Sequence, residues 1–411
     1  MPARTRQRQP NPTVRRVLFL TPELPYPPES GGRIKSLSLL EYLRSAHDVR
    51  VLCFRRSELS DEQTKWGERY AVRTLKLARG RNPLNLLRSY LSGVPISIQR
   101  NRSAEMRRLV QAEVSAWAPE VIFVDGWLMA QYLPAGFAGL KLLHEHNAEH
   151  TIWRRQWELE RNPLLRFLVG REFQRVRRHE AAMLKHYDVV FAVSEADREA
   201  LLALGAGVQI RVLPNLPDES LLDLPPLAFT ETEPLIFYFG TLSWQPNIEG
   251  LEFFLQSVLP EVREDMPEAR LVIAGNGASP ALVKLAGSTP GVDFVGPIDD
   301  PELYYRRARV FIEATRSGGG TKLKVLNALA RGLPVLASPQ AARGLDAVAG
   351  EHLLVARGSD SMIEAVLRVL RDQRLWTRLS ENGRALVRAR YRAKAAYAPL
   401  DEVLNGAAAR T

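Results

Sequence analysis

The feature that most constrains this chain is an alternation of short apolar runs with helical stretches that runs its course and then starts again. Residues 14–21 (VRRVLFLT) read as a buried strand, because consecutive Val, Leu and Phe are closed by proline and glycine signals. Residues 36–45 carry apolar side chains at helical spacing, and residues 48–54 form a second strand-like run. Further runs follow at 119–126, 140–147, 187–194 and 209–215, with the longest helical segment at about 162–185. The pattern then restarts, with runs at 234–240, 269–275, 292–296, 308–314 and 333–338. Strands separated by helices imply parallel βαβ units, so two such series predict an α/β protein of two doubly wound domains. The expected boundaries are a basic flexible tail over 1–13, a first domain over 14–215, a proline- and acid-rich linker over 216–233 and a second domain over 234–385. A C-terminal helical segment, 386–411, is expected to pack back on the first domain.

Composition narrows the class. With 411 residues the chain exceeds the roughly 250–300 at which a single core stops growing. Its 45% hydrophobic and 25% charged residues exclude a disordered or fibrous chain. The single Cys53 excludes a disulfide framework and a cysteine-based zinc site. No apolar run approaches the roughly 18–20 residues that span a bilayer, and the basic N-terminus leads into a strand rather than a signal-peptide core. A cytoplasmic protein is expected.

Charge is distributed unevenly. Residues 1–220 hold 34 Lys and Arg against 24 Asp and Glu, an excess of ten, whereas residues 221–411 hold 22 of each sign. The excess peaks over 65–108, where eleven basic residues face only Glu68 and Glu105, and a second basic cluster covers 154–178. Two readings stay open: a solvated surface, or one that meets an anionic membrane leaflet, lipid phosphate or nucleic acid.

Three segments could carry chemistry. In residues 308–338 a strand ends near Glu313, Gly318, Gly319 and Gly320 follow, and a helix is expected to begin around Thr321 with Lys322 and Lys324 in its first turn. Glycines permit close backbone approach and a helix start offers free N–H groups, so the combination suits a phosphate or diphosphate, although a plain strand-to-helix turn needs glycine too. The corresponding place in the first half has Gly31 and Gly32 after the first strand, then Arg33 and Lys35. Neither matches GxGxxG or a Walker loop. Gly275, in a GNG after a strand, reads as a turn at least as well as a site. The third segment, LLHEHNAEHTIWRR (142–155), clusters His144, His146 and His150 with Glu145 and Glu149. It lacks HExxH spacing, so no metal site is expected, and a loop presenting His146 and Asn147 competes with a core histidine.

Residues 234–300 and 308–360 resemble the donor domain of family 4 retaining glycosyltransferases with the GT-B fold. The string GGGTKLKVLNALARGLPVLASPQAARGL is similar to that family's GGGTRLKxLEALAxGxPVVST pattern, and GEHLLVARGSDSMIEAVLRVL and RALVRARY are similar to its tail. FGTLSWQPNIEGLEFFLQSVLP, the TPELPYPPESGGRIK opening and HEHNAEHTIWRR resemble the exopolysaccharide and PEP-CTERM (exosortase)-associated branch. The resemblance covers about residues 14–395. Where relatives carry two glutamates eight positions apart this chain has Gly319 and Asn327, and the segment from Gly240 to Trp244 lacks the Arg and Lys that many relatives use for diphosphate.

The resemblance implies two Rossmann-like domains facing across a cleft, the first taking the acceptor and the second a nucleotide-diphosphate-sugar donor. It implies transfer with retention and without a metal or other cofactor. Lys322, Lys324, Arg316 and the Gly318–Thr321 amides then neutralise the leaving diphosphate, with Gly240 and Gly275 lining the donor side and Asn327 on the ribose. His146 stands at the acceptor side of the reaction centre, with Gly31, Gly32, Arg33 and Asn147 nearby. The expected partners are the donor and a glycan or lipid-linked acceptor, with an anionic inner membrane face as a peripheral surface and no nucleic acid. A catalytically weak homologue that binds sugar nucleotides or acts as a scaffold is the alternative.

Overall fold

The computed structural model describes residues 14–77, 83–315 and 322–406, with the backbone alone for 83–87. Among the described residues the chain divides into two units, one reaching Ala192 and including Arg198–Leu213 and the segment from Tyr397, the other comprising Val193–Asp197 and Pro214–Ala396.

The sheet of the first unit is built from β1 (Arg16–Thr21), β2 (Asp48–Arg55), β3 (Val72–Lys76), β4 (Val121–Asp125), β5 (Leu140–Glu145), β6 (Val189–Ala192) and β7 (Gln209–Val212). These pair in parallel in the order β3-β2-β1-β4-β5-β6-β7. The second unit holds β8 (Leu235–Phe239), β9 (Arg270–Ala274), β10 (Val292–Gly296), β11 (Val310–Glu313), β12 (Val335–Ala337) and β13 (Leu354–Val355), parallel in the order β10-β9-β8-β11-β12-β13. All eleven expected strand positions are strands, and the expected doubly wound α/β class holds in both units.

Continuous apolar runs mark these strands because helices cover both faces of a parallel sheet. Val17, Leu18, Phe19 and Leu20 are all fully buried. Leu18 and Leu20 join one cluster with Val110, Ile122, Val124 and Leu143. In the second unit Ile236 and Tyr238 pack with Phe254 and Ile273, while Leu235 and Phe237 pack on the opposite face with Leu326 and Leu329. Each such side chain contributes about 1.5–3 kcal/mol over leaving it in water.

Strand order fixes where a ligand can bind. In the first sheet β1 lies between β2 and β4, so the order reverses at the carboxyl ends of β1 and β4, occupied by Thr21 and Asp125. In the second, β8 lies between β9 and β11, so the reversal falls beyond Phe239 and Glu313. Open parallel sheets bind ligands at such switch points, where the connections leave in opposite directions and open a crevice.

The helix expected over 36–45 runs from Gly31 to Ala46, capped by Ser30, whose hydroxyl accepts from the Arg33 N–H at 3.4 Å. The long helix is Pro163–Leu184, and the Asn162 side chain accepts from the N–H groups of Leu164 and Leu165. Near the C-terminus, a helix over Gln373–Arg390 belongs to the second unit, and the chain enters the first at Tyr397. Tyr397 is fully buried, with its hydroxyl 3.0 Å from Ser38 Oγ. The following helix, Ala398–Gly406, is held by the Tyr42 hydroxyl on Asp401 at 2.6 Å and by Arg211 on Glu402 at 2.6 Å.

Candidate active site

In the first unit Asp125 ends β4 fully buried, and parallel register sets it beside His144 of β5. Its Oδ1 lies 2.8 Å from His144 Nδ1 and 2.7 Å from His146 Nε2, while Oδ2 accepts from Thr21 Oγ1 at 3.2 Å and from the Ser36 hydroxyl. One carboxylate thus collects four donors from β1, β5, the loop after β5 and the Gly31–Ala46 helix. For both rings to donate, His144 carries its proton on Nδ1 and His146 on Nε2. The remaining nitrogens differ in surroundings. His144 Nε2 is buried without a hydrogen-bond partner, whereas His146 is partly exposed and its Nδ1 lies 3.8 Å from where a Gly32 Cβ would stand. Gly32 therefore borders His146 Nδ1, where a methyl group would make ordinary van der Waals contact.

The electrostatics follow from burial and this shared acceptor. Burial pushes His144 down to about 3, only partly offset by the Asp125 hydrogen bond, so it stays neutral. Burial also disfavours charge on His146, but the Asp125 carboxylate outweighs it and raises the imidazole above its ordinary value. Burial would raise Asp125, yet His146 and His144 hold it well below the usual carboxylate range. Lys35, on the same helix as Ser36, is buried, donates to the Leu213 carbonyl at 3.1 Å and is pushed down to about 7 by desolvation, against the pull of Asp125. Asp125, His144 and His146 bring one oxygen and two nitrogens within 4.8 Å of one another, a set that could hold a cation. Ligand atoms around one tetrahedral zinc, at about 2.0–2.1 Å from it, would stand roughly 3.3 Å apart. Hydrogen bonding to a common oxygen describes the separations of 2.7 and 2.8 Å better.

His150 belongs to a separate arrangement. Its Nδ1 lies 2.6 Å from Glu180 Oε2, and Glu180 also accepts from the N–H groups of Glu149 and His150, so this histidine fastens the Glu149–Leu159 helix to the Pro163–Leu184 helix. Glu149, desolvated and close to Glu180, is pushed up to about 8.

In the second unit the switch point holds Lys324. The helix there begins at Leu323, slightly later than expected, and Lys322 is its capping residue. The Lys324 amine pairs with the fully buried carboxylate of Glu313 and donates to the Tyr238 hydroxyl and Asn247 Oδ1, both at 2.9 Å. Desolvation lowers its pKa, against the pull of Glu313. Lys322 lies mostly buried with its amine 4.6 Å from the centre of the Trp244 ring. Gly240 faces Lys324, since a Cβ there would stand 3.2 Å from its amine. Gly275 has φ +146°, and a Cβ on it would meet the Gly240 carbonyl oxygen at 1.8 Å, so only glycine lets the two strand ends pass.

The structure therefore gathers Gly32 with His146 in one unit, and Gly240, Gly275, Lys322 and Lys324 in the other. Arg33 turns to surface ion pairs with Glu23 and Glu29, and Asn147 is half-buried beside His146. Asn327 Oδ1 accepts from the backbone N–H of Asp218 at 2.9 Å, so its carbonyl is engaged within the unit. Arg316, Gly318, Gly319, Gly320 and Thr321 lie outside the described residues. Asp300, in the loop before Pro301, accepts from the Glu302 N–H, the first of the Glu302–Arg307 helix, at 2.8 Å. Sequence reasoning misses Asp125, Thr21, Ser36, Glu313, Tyr238 and Asn247. The signal available for Asp125 and Glu313 is that each is an acidic residue closing an otherwise apolar run.

Comparison with known proteins agrees with this architecture. Residues 30–216 match the family described as glycosyl transferase 4-like domain, and residues 233–372 match glycosyl transferases group 1. An uncharacterised 44.6 kDa protein in the cps region of Klebsiella pneumoniae is 24% identical over 356 residues, covering 83% of this chain and 87% of that one. Sucrose-phosphate synthase from Thermosynechococcus elongatus superposes with a TM-score of 0.69 at 20% identity, covering 97% of this chain and all of the other. HepE from Anabaena in complex with UDP and glucose superposes with a TM-score of 0.66 at 15% identity, covering 95% and 100%. No helix among the described residues is long and apolar enough to cross a membrane. The chain carries the two domains of a GT-B glycosyltransferase, a 4-like domain over residues 30–216 followed by a group 1 domain over residues 233–372.

Proposed function

We propose that this protein transfers a sugar from a nucleotide-diphosphate sugar to a glycan or lipid-linked acceptor, with retention at the anomeric carbon and without a metal. The observation that carries this reading is that each domain keeps a buried acid–base pair at its sheet's switch point, Asp125 with His146 and Glu313 with Lys324. A UDP complex of a structural relative supports the donor class.

In this reading the donor diphosphate lies against the start of the Leu323–Arg331 helix. Departure of the nucleotide builds negative charge, which Lys322, the helix N–H groups, Arg316 and the glycines at 318–320 offset, with Lys324 setting the local field from behind Gly240. Asn327, its carbonyl already engaged, presents its amide N–H groups to the ribose. On the acceptor side Asp125 holds the His146 Nε2–H, which leaves Nδ1 as a basic acceptor for the hydroxyl that attacks. Charge on the whole rests on a few placed groups, consistent with the neutral balance of the second half.

A thermal-shift screen over nucleotide sugars, followed by product analysis of the best binder with glycan and lipid-linked acceptors, tests the reading. A ligand at 100 times its dissociation constant adds about 2.7 kcal/mol. If no nucleotide diphosphate or nucleotide sugar raises Tm, the reading fails. A second reading, a homologue that binds sugar nucleotides without turning them over, is favoured by the engaged Lys324 amine and Asn327 carbonyl. Donor binding with no product from any acceptor, and retained donor on re-isolation, supports that one.

A further inference from the structure

The antiparallel pair formed by the Glu149–Leu159 and Pro163–Leu184 helices ends in a surface unlike the rest of the described molecule. Every residue from 161 to 168 is exposed. Leu159, Leu164, Leu165, Phe167 and Leu168 are 44–68% exposed, and Ile152 is 40%. The helix Pro83–Ser92 adds Tyr90 at 45% and Leu91 at 78%. Six of the sixteen large apolar side chains exposed among the described residues thus fall on this helical pair, and two more on the Pro83–Ser92 helix, whose Tyr90 lies under Arg171 and Arg175 and so joins the same strip. Soluble surfaces scatter such residues singly, and a contiguous set marks a contact.

Arginines are threaded through the strip. Residues 151–178 hold eight of them against Glu158, Glu160 and Glu172. Glu158 pairs with Arg154 at 3.6 Å, and Glu172, buried, accepts from the Ile96 N–H at 2.7 Å and pairs with Arg175 at 3.4 Å, which leaves the arginines in excess. Arg171 and Arg175 lie over the Tyr90 ring at 5.4 and 4.3 Å, and Arg166 lies 5.7 Å from the Trp157 ring. Trp157 stacks on Phe173 and fills the space over Gly170, where a Cβ would meet its Nε1 at 2.8 Å. Trp157, Phe167, Arg166, Arg171, Arg175 and Arg178 line a cavity of about 420 Å³.

This combination selects its occupant. A second copy placed symmetrically on the strip would set arginine against arginine, since an isologous contact repeats the same patch on both sides. An anionic bilayer complements both components: leucines and Phe167 enter the boundary between headgroups and acyl chains, and the guanidinium groups meet lipid phosphates. We propose that the end of this helical hairpin is a membrane-docking surface that rests on anionic phospholipid, with one headgroup phosphate taken into the arginine-lined cavity. The proposal deepens the functional reading above and rests on its lipid-linked acceptor, because it brings the domain that would take such an acceptor to the surface where one is anchored. It also centres docking on residues 152–178, with Tyr90 and Leu91 as the share taken from the basic peak over 65–108.

Co-sedimentation of the full chain with vesicles of phosphatidylcholine alone, and of phosphatidylcholine with about a third phosphatidylglycerol, tests it. The wild-type chain is expected to bind the anionic vesicles and to leave the neutral ones in solution. Each basic residue at an anionic surface changes partitioning by about fivefold. Arg166→Glu with Arg171→Glu should therefore lower it more than tenfold, and Leu164→Ser with Phe167→Ser should lower it comparably. Unchanged Tm shows that these exposed positions have not cost the fold, and thermal shift by nucleotide sugars on the same variants reports the functional reading separately. Wild-type partitioning in both variants overturns the proposal. So does a concentration-dependent dimer that Leu164→Ser with Phe167→Ser dissolves while vesicles go unbound. Loss of vesicle binding with donor binding intact supports docking by this surface; vesicle binding without any donor binding would leave docking standing and sink the transferase reading.

Discussion

At the scale of single residues the first-unit site turns on Asp125. His146 is legible in the sequence because it follows an apolar run in a stretch dense in histidine. Asp125 is not, because it reaches His144 and His146 only through the β4–β5 register and no local spacing encodes strand order. Asp125→Asn keeps the volume and removes the charge that raises His146. The His146 pKa should fall, and transfer at neutral pH should drop at least about tenfold, a part of the roughly 10²–10⁴-fold that a positioned general base contributes. Proton NMR of the imidazole together with initial rates checks this; a variant with the wild-type His146 pKa would show that Asp125 does not set it. Stability carries a second signature. His144 is pushed to about 3 in the fold, against about 6.5 in an unfolded chain. Between those values the unfolded chain binds a proton that the folded one refuses, so this contribution is lost as pH falls from about 6.5 towards 3, by at most about 1.4 kcal/mol per pH unit. Glu149, raised to about 8, acts with the opposite sign between about 4.5 and 8. His146, raised in the fold, also favours the folded state more as pH falls through its folded value. The difference between wild type and His144→Asn, which keeps an N–H for Asp125 and does not titrate, isolates the His144 contribution. Urea midpoints from pH 7 to 4 should fall less steeply in the variant.

At the scale of elements, apolar continuity makes the strands readable, and the exceptions have physical causes. β3 (VRTLK) is an edge strand, partly exposed along its length, and its arginine and lysine merge with the basic peak around it. β13 is two residues long, too short to show any period. What periodicity cannot report is how closely two strand ends approach. Gly275 reads as a turn glycine in the sequence, yet in the fold its φ of +146° and the 1.8 Å that would separate its Cβ from the Gly240 oxygen make it obligatory. Gly275→Ala should lower the unfolding free energy by about 2–4 kcal/mol, the range for forced backbone displacement with a disfavoured φ. Gly287→Ala, in the Pro280–Ser288 helix with nothing within 4 Å of the new Cβ, should instead raise it by about 0.5–1 kcal/mol. Denaturant titration of the pair checks both signs, and a neutral Gly275→Ala would remove the close-approach account.

At the scale of the whole molecule, two domains are legible because the strand series restarts, and the charge excess of ten is legible as belonging to the first half. The sequence alone leaves open which surface uses that charge, since the basic peak over 65–108 is where counting points and, Leu91 aside, the exposed leucines of the strip stand elsewhere, at 159–168. Exposure is a property of packing, and LLRFL reads as an ordinary buried helical stretch until the neighbouring helices leave it uncovered. The two proposed ligands should consequently respond differently to salt. Vesicle association sums many solvated arginines, whose field decays over about 10 Å at 0.1 M ionic strength and about 3 Å at 1 M. Donor binding depends on a few groups at a buried switch point, among them a Lys324–Glu313 pair that solvent ions barely reach. Raising NaCl from about 50 to 500 mM should weaken partitioning onto anionic vesicles more than about tenfold, whereas the donor Kd should change less than about threefold. Measured on one preparation, equal salt sensitivity of the two would mean that the donor, too, is held by the diffuse charge of the first half, and the assignment of diphosphate recognition to the second unit would have to be given up.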